Sequence, residues 1–447
     1  MTPFDNPPKN INRGIEAHWM PFTSNRDFKK SPRVITGASG HYYHSEDGRK
    51  VYDGFSGLWT TGVGHCHPKI SEAVSDQIRT LDYAISFQAT TNKAAELAGH
   101  LAEFAPDGFD HVFFTSSGSE SADTALKIAL AYHRARSEPL RGRFVGRQRG
   151  YHGVNFGGVS VGGIPANRNA FSTSLLQNVD HLPHTHSLEH AAFSRGQPEW
   201  GADLADALPG ICAMRDGSTI AAVIVEPVAG STGILPPPRG YLEKLRAHCD
   251  AHGILLIFDE VITAFGRVGH SFATERFGVV PDIITVAKGL TNGAIPMGAV
   301  LVKSEIYETL MHGPEQMPEL FHGYTYSGHP VAAAAGLASL DIYETEGVFE
   351  RARAIEPIFE EILHSFADHP LVIDVRNLGL MGAIELRSRD GDVGARGLEV
   401  HKKCFWEQDF MIRNGGDILQ FAPFLIANPD DLQSNFSKLR KVLDQLD

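Results

Sequence analysis

The feature that most constrains this chain is a succession of short apolar runs set between amphipathic stretches. HVFFT (111–115), AAVIVEP (221–227), ILLIFDE (254–260) and DIITVAKG (282–289) are rich in β-branched or aromatic residues and bounded by turn formers. Runs this short, without polar alternation, read as parallel strands buried on both faces. Between them, SADTALKIALAYHRAR places apolar residues at 122, 125, 126, 129 and 130, the spacing of one helical face. A βαβ succession follows, and with it an α/β fold whose mostly parallel sheet is covered by helices. In such sheets ligands bind beyond the carboxyl ends of the strands, which selects the polar residues that matter.

The flanks differ. HYYHSEDGRKVYDG (41–54) predicts a hairpin turning at Asp47-Gly48. GHPVAAAAGLASLDIYE (328–344) predicts a long Ala-rich connecting helix. Beyond it, VIDVRN and LMGAIELR predict antiparallel strands, and helices are expected around 396–409 and 430–446, which together make a smaller α+β domain. The insert from about 165 to 215, with HLPHTHSLEH and GADLADALPG, is the least regular part.

Composition excludes several classes of function. The net charge of −13 gives little support for a grip on a nucleic-acid backbone or an anionic membrane. No apolar run approaches the roughly 20 residues that span a bilayer. The opening MTPFDNPPKN lacks a basic segment followed by an apolar one, so a soluble, cytoplasmic protein is expected. Cys66, Cys212, Cys249 and Cys404 show no CxxC spacing and read as reduced core thiols. No metal site is expected: His65-Cys66-His67 lacks further ligands, and His181, His184, His186 and His190 read as a solvated loop. Gly157, Gly158, Gly162 and Gly163 do not form GxGxxG and read as tight packing or turns.

Three strand ends carry polar residues of note. After HVFFT, the run Ser116-Ser117-Gly118-Ser119 leads into a helix; its N–H groups and hydroxyls suit a phosphate, or the serine simply caps the helix. Asp259 and Glu260 end the second run and could bind a metal, cap a turn or pair with a protonated ring nitrogen. Lys288 ends the third and either snorkels to solvent or stays desolvated as a nucleophilic amine. Together they offer handles for a phosphate, a ring nitrogen and an aldehyde, the three groups of pyridoxal phosphate.

TSSGSES (115–121), YHG (151–153), VEPVAG (225–230), FDEVITAFGR (258–267), AKGLTNGAIPMGAV (287–300) and HGYTYSGHPVAAAAG (322–336) resemble, in order and spacing, the class III pyridoxal-phosphate aminotransferases. The resemblance runs from GLWTTGVGHCHP (57–68) to the region of Arg413 and is closest to the ω-amino acid:pyruvate, or β-alanine:pyruvate, aminotransferases. It implies a fold-type I transferase with an N-terminal segment (1–60) joining the small domain, a large cofactor-binding domain (61–330) and a C-terminal small domain (331–447).

By that resemblance Lys288 forms the Schiff base with the cofactor aldehyde and later carries the proton, and Asp259 keeps the pyridine nitrogen protonated. Ser117, Gly118 and Ser119 hold the phosphate, Thr325 reaches the phosphate of a neighbouring subunit, and Tyr151 stacks on the ring beside His152. Val261 presses the opposite face. Ile262 stands where relatives with ornithine-like substrates often have Gln, so water or backbone must meet the ring hydroxyl. Arg413 binds a substrate carboxylate, Glu226 pairs with Arg413 when none is present, and Trp59 walls the pocket. The implied reaction moves an amino group from β-alanine or another ω-amine to pyruvate, in a homodimer or tetramer with sites at the subunit interface. The alternatives are an aminomutase or decarboxylase on the same scaffold, or an aminotransferase of the 2-oxoglutarate-dependent γ-aminobutyrate or ornithine type.

Overall fold

The computed structural model describes residues 11–446; MTPFDNPPKN, where no leader pattern is read, lies outside them. Among these residues the chain forms three sheets. The first contains β1 (Ile35–Ser39), β2 (Tyr42–Ser45) and β3 (Lys50–Asp53), with β2 and β3 paired antiparallel around Asp47-Gly48. A short strand from far along the chain, Phe410–Met411, joins β3 in parallel, so the amino-terminal segment is stitched to the carboxyl-terminal part.

The central sheet has seven strands: β4 (His111–Thr115), β5 (Arg143–Arg147), β6 (Val179–Leu182), β7 (Ile220–Val225), β8 (Leu255–Asp259), β9 (Ile283–Val286) and β10 (Gly298–Val302). Their order is β4-β10-β9-β8-β7-β5-β6, and the five from β9 to β6 run parallel. Every residue of β7, β8, β9 and β10 is buried, as continuous apolar runs require of a sheet covered on both faces.

HVFFT departs from the expected buried parallel strand. It lies at the sheet edge, only partly buried, and pairs antiparallel with β10, which is itself antiparallel to β9. A short apolar run carries no direction, so GAVLV could insert there unannounced. In the helix that follows, Gly118–Ala135, Ala122, Ala125, Leu126 and Ala129 are buried as expected, but Leu130 is exposed and Ile128 takes the inward place.

Two further expectations are corrected. The histidine-bearing insert is a solvated loop only in part: VDHL is strand β6, paired with β5, His181 meets the Gly162 carbonyl at 2.9 Å and His186 meets Glu385 at 2.9 Å, while His190 is exposed. Of the four cysteines, Cys212, Cys249 and Cys404 are buried, but Cys66 is exposed at a turn of φ 54°. The glycines at 157–163 do serve packing, since a Cβ on Gly158 or Gly163 would run into the backbone carbonyls of His152 or Arg147.

The third sheet, antiparallel, comprises β11 (Val372–Leu378), β12 (Met381–Leu386), β15 (Ile418–Phe421) and β14 (Arg413–Gly415), where β13 denotes the Phe410–Met411 strand. The helix Pro330–Thr345 bridges to it and buries Ala332, Ala333 and Ala335 in a core that runs unbroken from Leu97 and Phe265 to Phe410 and Phe436. No helix among the described residues is long and apolar enough to cross a membrane.

Glu260 shows how a charge is tolerated inside this core. It is fully buried yet accepts from the Ala273 N–H (2.5 Å), the Thr274 N–H (3.1 Å), the Thr274 hydroxyl (3.0 Å) and the Thr263 hydroxyl (3.1 Å). Burial pushes its pKa up to about 7 despite these donors. Its role is therefore to fasten the start of the Ala273–Phe277 helix beneath the strand ends. Glu260→Ala would strand those donors and should lower stability by about 3 kcal/mol. The midpoint of urea unfolding measures it, and a shift no larger than that of a surface substitution refutes the role.

Candidate active site

The parallel strands all end at one edge, and the chain places a polar residue just past each end. Tyr151 and His152 follow β5, Glu226 follows β7, Asp259 closes β8, and Lys288 stands two residues beyond β9. The amino end of the Gly118–Ala135 helix, entered from β4, meets the same edge. Lys288, Asp259, Glu226, Tyr151, His152, Gly118, Ser119, Val261, Ile262, Trp59 and Arg413 line one cavity of about 1010 Å³.

Of the expected cofactor residues Ser117 is not brought there, and Thr325, expected at a neighbouring subunit's phosphate rather than in this cavity, lies off it. The Ser117 hydroxyl is the helix cap, accepting from the Glu120 N–H at 3.2 Å. That cap leaves the Gly118 and Ser119 N–H groups without partners among the described residues, so the helix end itself is open to an anion. Thr325 is exposed away from the cavity, and its carbonyl accepts from the Tyr83 hydroxyl at 3.0 Å.

At the centre, Asp259 Oδ2 lies 2.8 Å from His152 Nδ1, and Asp259 Oδ1 accepts from the Val261 N–H at 3.2 Å. His152 Nε2 is buried without a partner. Lys288 has φ +46°, in the left-handed region that a side chain with a Cβ rarely enters. Its Nζ lies 4.9 Å over the Trp59 ring and has no hydrogen bond or carboxylate within salt-bridge distance among the described residues. Burial pulls the Lys288 pKa down to about 8; Asp259 and Glu226 oppose the shift and Arg413 adds to it. Gly118 keeps a space that a Cβ would fill, 3.0 Å from Val261 Cγ1. An open helix end, a buried carboxylate, an unpartnered imidazole nitrogen and a free amine suit the phosphate, ring and aldehyde of pyridoxal phosphate.

The expected Glu226–Arg413 pair does not form. Both Glu226 oxygens are taken by backbone, Oε1 by the Tyr151 N–H (2.9 Å) and Oε2 by the Gly230 N–H (3.0 Å). Arg413 instead rests on aromatic faces, 5.1 Å over Trp59 and 5.8 Å over Phe55. The physical reason is that two N–H donors satisfy a buried carboxylate where it stands, so it need not reach across the pocket.

Sequence reasoning passed over the residues that hold this wall. Asp53 accepts from the Phe55 N–H (2.9 Å), the Gly57 N–H (2.6 Å) and His65 Nε2 (2.9 Å), which fixes a turn where Ser56, Gly57 and Trp59 all have positive φ. The signal was present as Asp53-Gly54, a turn-forming pair ahead of GLW. Arg267, the last residue of FDEVITAFGR, is buried and donates to the Leu380 and Pro423 carbonyls (3.2 and 2.6 Å).

Residues 23–443 match the family model described as Aminotransferase class-III. The chain is 55% identical over 433 residues to an omega-aminotransferase of Caulobacter vibrioides, covering 97% of this chain and 98% of that one. It is 50% identical to the beta-alanine–pyruvate aminotransferase of Pseudomonas aeruginosa, covering 98% of each. Among solved structures, the omega transaminase of Pseudomonas jessenii in complex with PMP superposes with a TM-score of 0.91 at 32% identity, covering 97% of both chains.

The depressed lysine gives a direct test. In protein stripped of cofactor, a group held near pKa 8 rather than 10.5 is largely the free amine above that pH. Reductive labelling of Lys288 by a small aldehyde and borohydride, read by peptide mass spectrometry, should therefore rise with a midpoint near 8. A midpoint at the ordinary lysine value would show that burial does not govern this amine.

Proposed function

This chain belongs to the class-III aminotransferase family, and on that premise we propose that it moves the amino group of β-alanine, or of another ω-amino acid or amine, to pyruvate. The products are malonate semialdehyde, or the corresponding aldehyde or ketone, and L-alanine, formed in two half-reactions on one site. The protein is a pyridoxal-phosphate-dependent transaminase. One observation carries the assignment of roles: a lysine with no ionic partner among the described residues stands in the same cavity as a carboxylate already oriented by a histidine.

When bound, pyridoxal phosphate supplies an aldehyde that condenses reversibly with amines and a protonated ring that withdraws electrons from the carbon losing its proton. The chain does the rest. Lys288 Nζ would hold the aldehyde of the resting cofactor and, as a free amine, would take the proton from the substrate carbon. Asp259 would hold the ring nitrogen, and His152 keeps its Oδ2 in place. Gly118 and Ser119 would donate N–H groups to the phosphate, Tyr151 and Val261 would hold the ring, and Ile262 would leave the ring hydroxyl to water or backbone; all five line the cavity.

Arg413 takes the carboxylate of pyruvate and alanine, and a guanidinium matches a carboxylate in a bidentate pair. Because it leans on Trp59 and Phe55 rather than on Glu226, it turns aside without breaking an ion pair when the donor carries no carboxylate at that distance.

We read the cofactor-binding unit as residues 61–330, with 1–60 and 331–447 forming the substrate side, and the active molecule as a homodimer or a tetramer built from it. Exposed Tyr83, Ile85, Phe87, Phe321 and Tyr326 support this, since Tyr83 and Tyr326 rings lie 5.9 Å apart and Thr325 sits among them, off its own cavity. Such a contiguous apolar face suits a second copy. The buried free thiols suit the reducing cytoplasm.

A panel of donors with pyruvate and 2-oxoglutarate as rival acceptors tests the reaction: pyruvate should be strongly preferred, and a preference for 2-oxoglutarate would sink the assignment. In the same panel Arg413→Ala should raise the pyruvate KM about ten- to a hundredfold, the loss of a charge-assisted pair, while amines without a carboxylate change little. Phe87→Glu should shift the protein to monomer in sedimentation and abolish turnover; an active monomer would refute the shared site.

A further inference from the structure

A turn at the cavity wall is gripped by a buried arginine from the third sheet. Residues 230–234 double back between Ala229 and Leu235, whose backbones exchange hydrogen bonds of 3.2 and 2.8 Å. Ser231 and Thr232, at the tip, line the cavity. Gly233 and Ile234 have φ of 112° and 54°, and a β-branched residue holds such a conformation only where its surroundings impose it.

Arg376 of β11 supplies that imposition. Its Nε donates to the Gly233 carbonyl at 2.8 Å and to the Ile234 carbonyl at 3.1 Å. Its Nη1 is paired with Asp374 and, at 2.7 Å, with Glu385. Asp374 in turn accepts the Phe193 N–H at 2.6 Å, and Glu385 meets His186 Nε2 at 2.9 Å. His186, Asp374 and Glu385 converge as three ligands of an ion would, but the guanidinium already stands as the cation among them. From the same cross-strand row, which runs Arg376, Ala383, Gln420, Arg413, Gln420 Nε2 donates to the Ser231 carbonyl at 3.2 Å, so Gln420 sits directly beside Arg413 on the β14–β15 ladder. The turn is thus held along one row of the third sheet, by Arg376 on β11 and by Gln420 on the strand paired with the one that carries Arg413.

We propose that Arg376 is a positioning residue for the carboxylate-binding side of the cavity: by clamping the 230–234 turn to β11 it sets Ser231 and Thr232 at a fixed separation from Arg413. The proposal rests on the reading of Arg413 as the ligand of the substrate carboxylate. A guanidinium suits this place because Nε reaches two carbonyls while Nη1, held rigidly apart from it, meets two carboxylates, a separation that one ammonium does not span. An ion network this deeply buried adds little stability over an apolar replacement of the same shape, so its geometry rather than its energy is what the site uses.

The test compares the holoenzyme with Arg376→Lys, which keeps the charge and loses the fork, and with Gln420→Leu, which loosens the same turn without disturbing a charge. Each should raise KM for pyruvate and for β-alanine, by about tenfold in Arg376→Lys, while kcat and the half-reaction of a carboxylate-free amine, followed by the cofactor's colour, stay within about twofold. Rescue would be partial, so Arg376→Lys should outperform Arg376→Met on both carboxylate substrates. Unmoved KM values in both variants, or equal losses with carboxylate-bearing and carboxylate-free amines, would overturn the clamp. The unsubstituted enzyme run alongside separates the two readings: its inactivity with pyruvate overturns the proposed reaction, whereas activity there with unmoved variants overturns the clamp alone.

Discussion

Burial of charge at the carboxyl edge of the central sheet is the constraint on which the rest of the structure depends. β7, β8 and β9 are closed to water along their whole length, so a charged side chain can enter only where a strand stops. An unpaired charge there would cost several kcal/mol, and the structure answers most of them locally. Asp259 has His152 and a backbone N–H, Glu260 has four donors, Glu226 has two backbone N–H groups, and Arg267 has two carbonyls. Lys288 is treated differently: a Trp ring is its near neighbour, and it meets burial by giving up its proton more readily. Among the described residues it has no hydrogen bond or ionic partner, which leaves it open as the free amine that the proposed chemistry uses.

The same arithmetic shapes the substrate side. A cation over an aromatic face is held by about 0.5–2 kcal/mol, whereas a buried ion pair resists separation by about 3–5 kcal/mol. Resting Arg413 on Trp59 and Phe55 while Glu226 is satisfied by backbone therefore keeps the guanidinium in the pocket at a small cost of release. The aromatic seat is itself secured from below. Asp53 caps a turn with three positive φ values, and that turn is what aims Trp59 at the cavity. Electrostatic freedom at Arg413 thus depends on backbone rigidity two layers away.

How far this was legible in the sequence can be traced residue by residue. The runs that became β7, β8 and β9 stood out because an apolar stretch too short for a helix has few other uses, and Asp259 and Lys288 stood out because they break those runs at their ends. β5, as RFVGR, carries two arginines and concealed its place in the sheet, although Arg147 is buried there. β10 was hidden for the opposite reason: its apolar pattern says that it is buried but not which way it runs, so its insertion between β4 and β9 could not be read. His181 and His186 looked like parts of a polar loop because the groups that satisfy them, the Gly162 carbonyl and Glu385, lie outside that stretch of chain.

What the sequence by itself determined is the set of residues delivered to the ends of buried strands, since the alternation of apolar runs and helices is a local property that survives in the linear chain. What only the tertiary structure decided is the partner each of those residues takes. Glu226 chose backbone over Arg413, Ser117 capped a helix while Gly118 and Ser119 stayed open, and His186 found Glu385 across 199 positions of chain. Hydrogen bonds and ion pairs reach only a few ångströms, so their assignment waits until folding has brought distant segments together, and no periodicity in the chain encodes that distance.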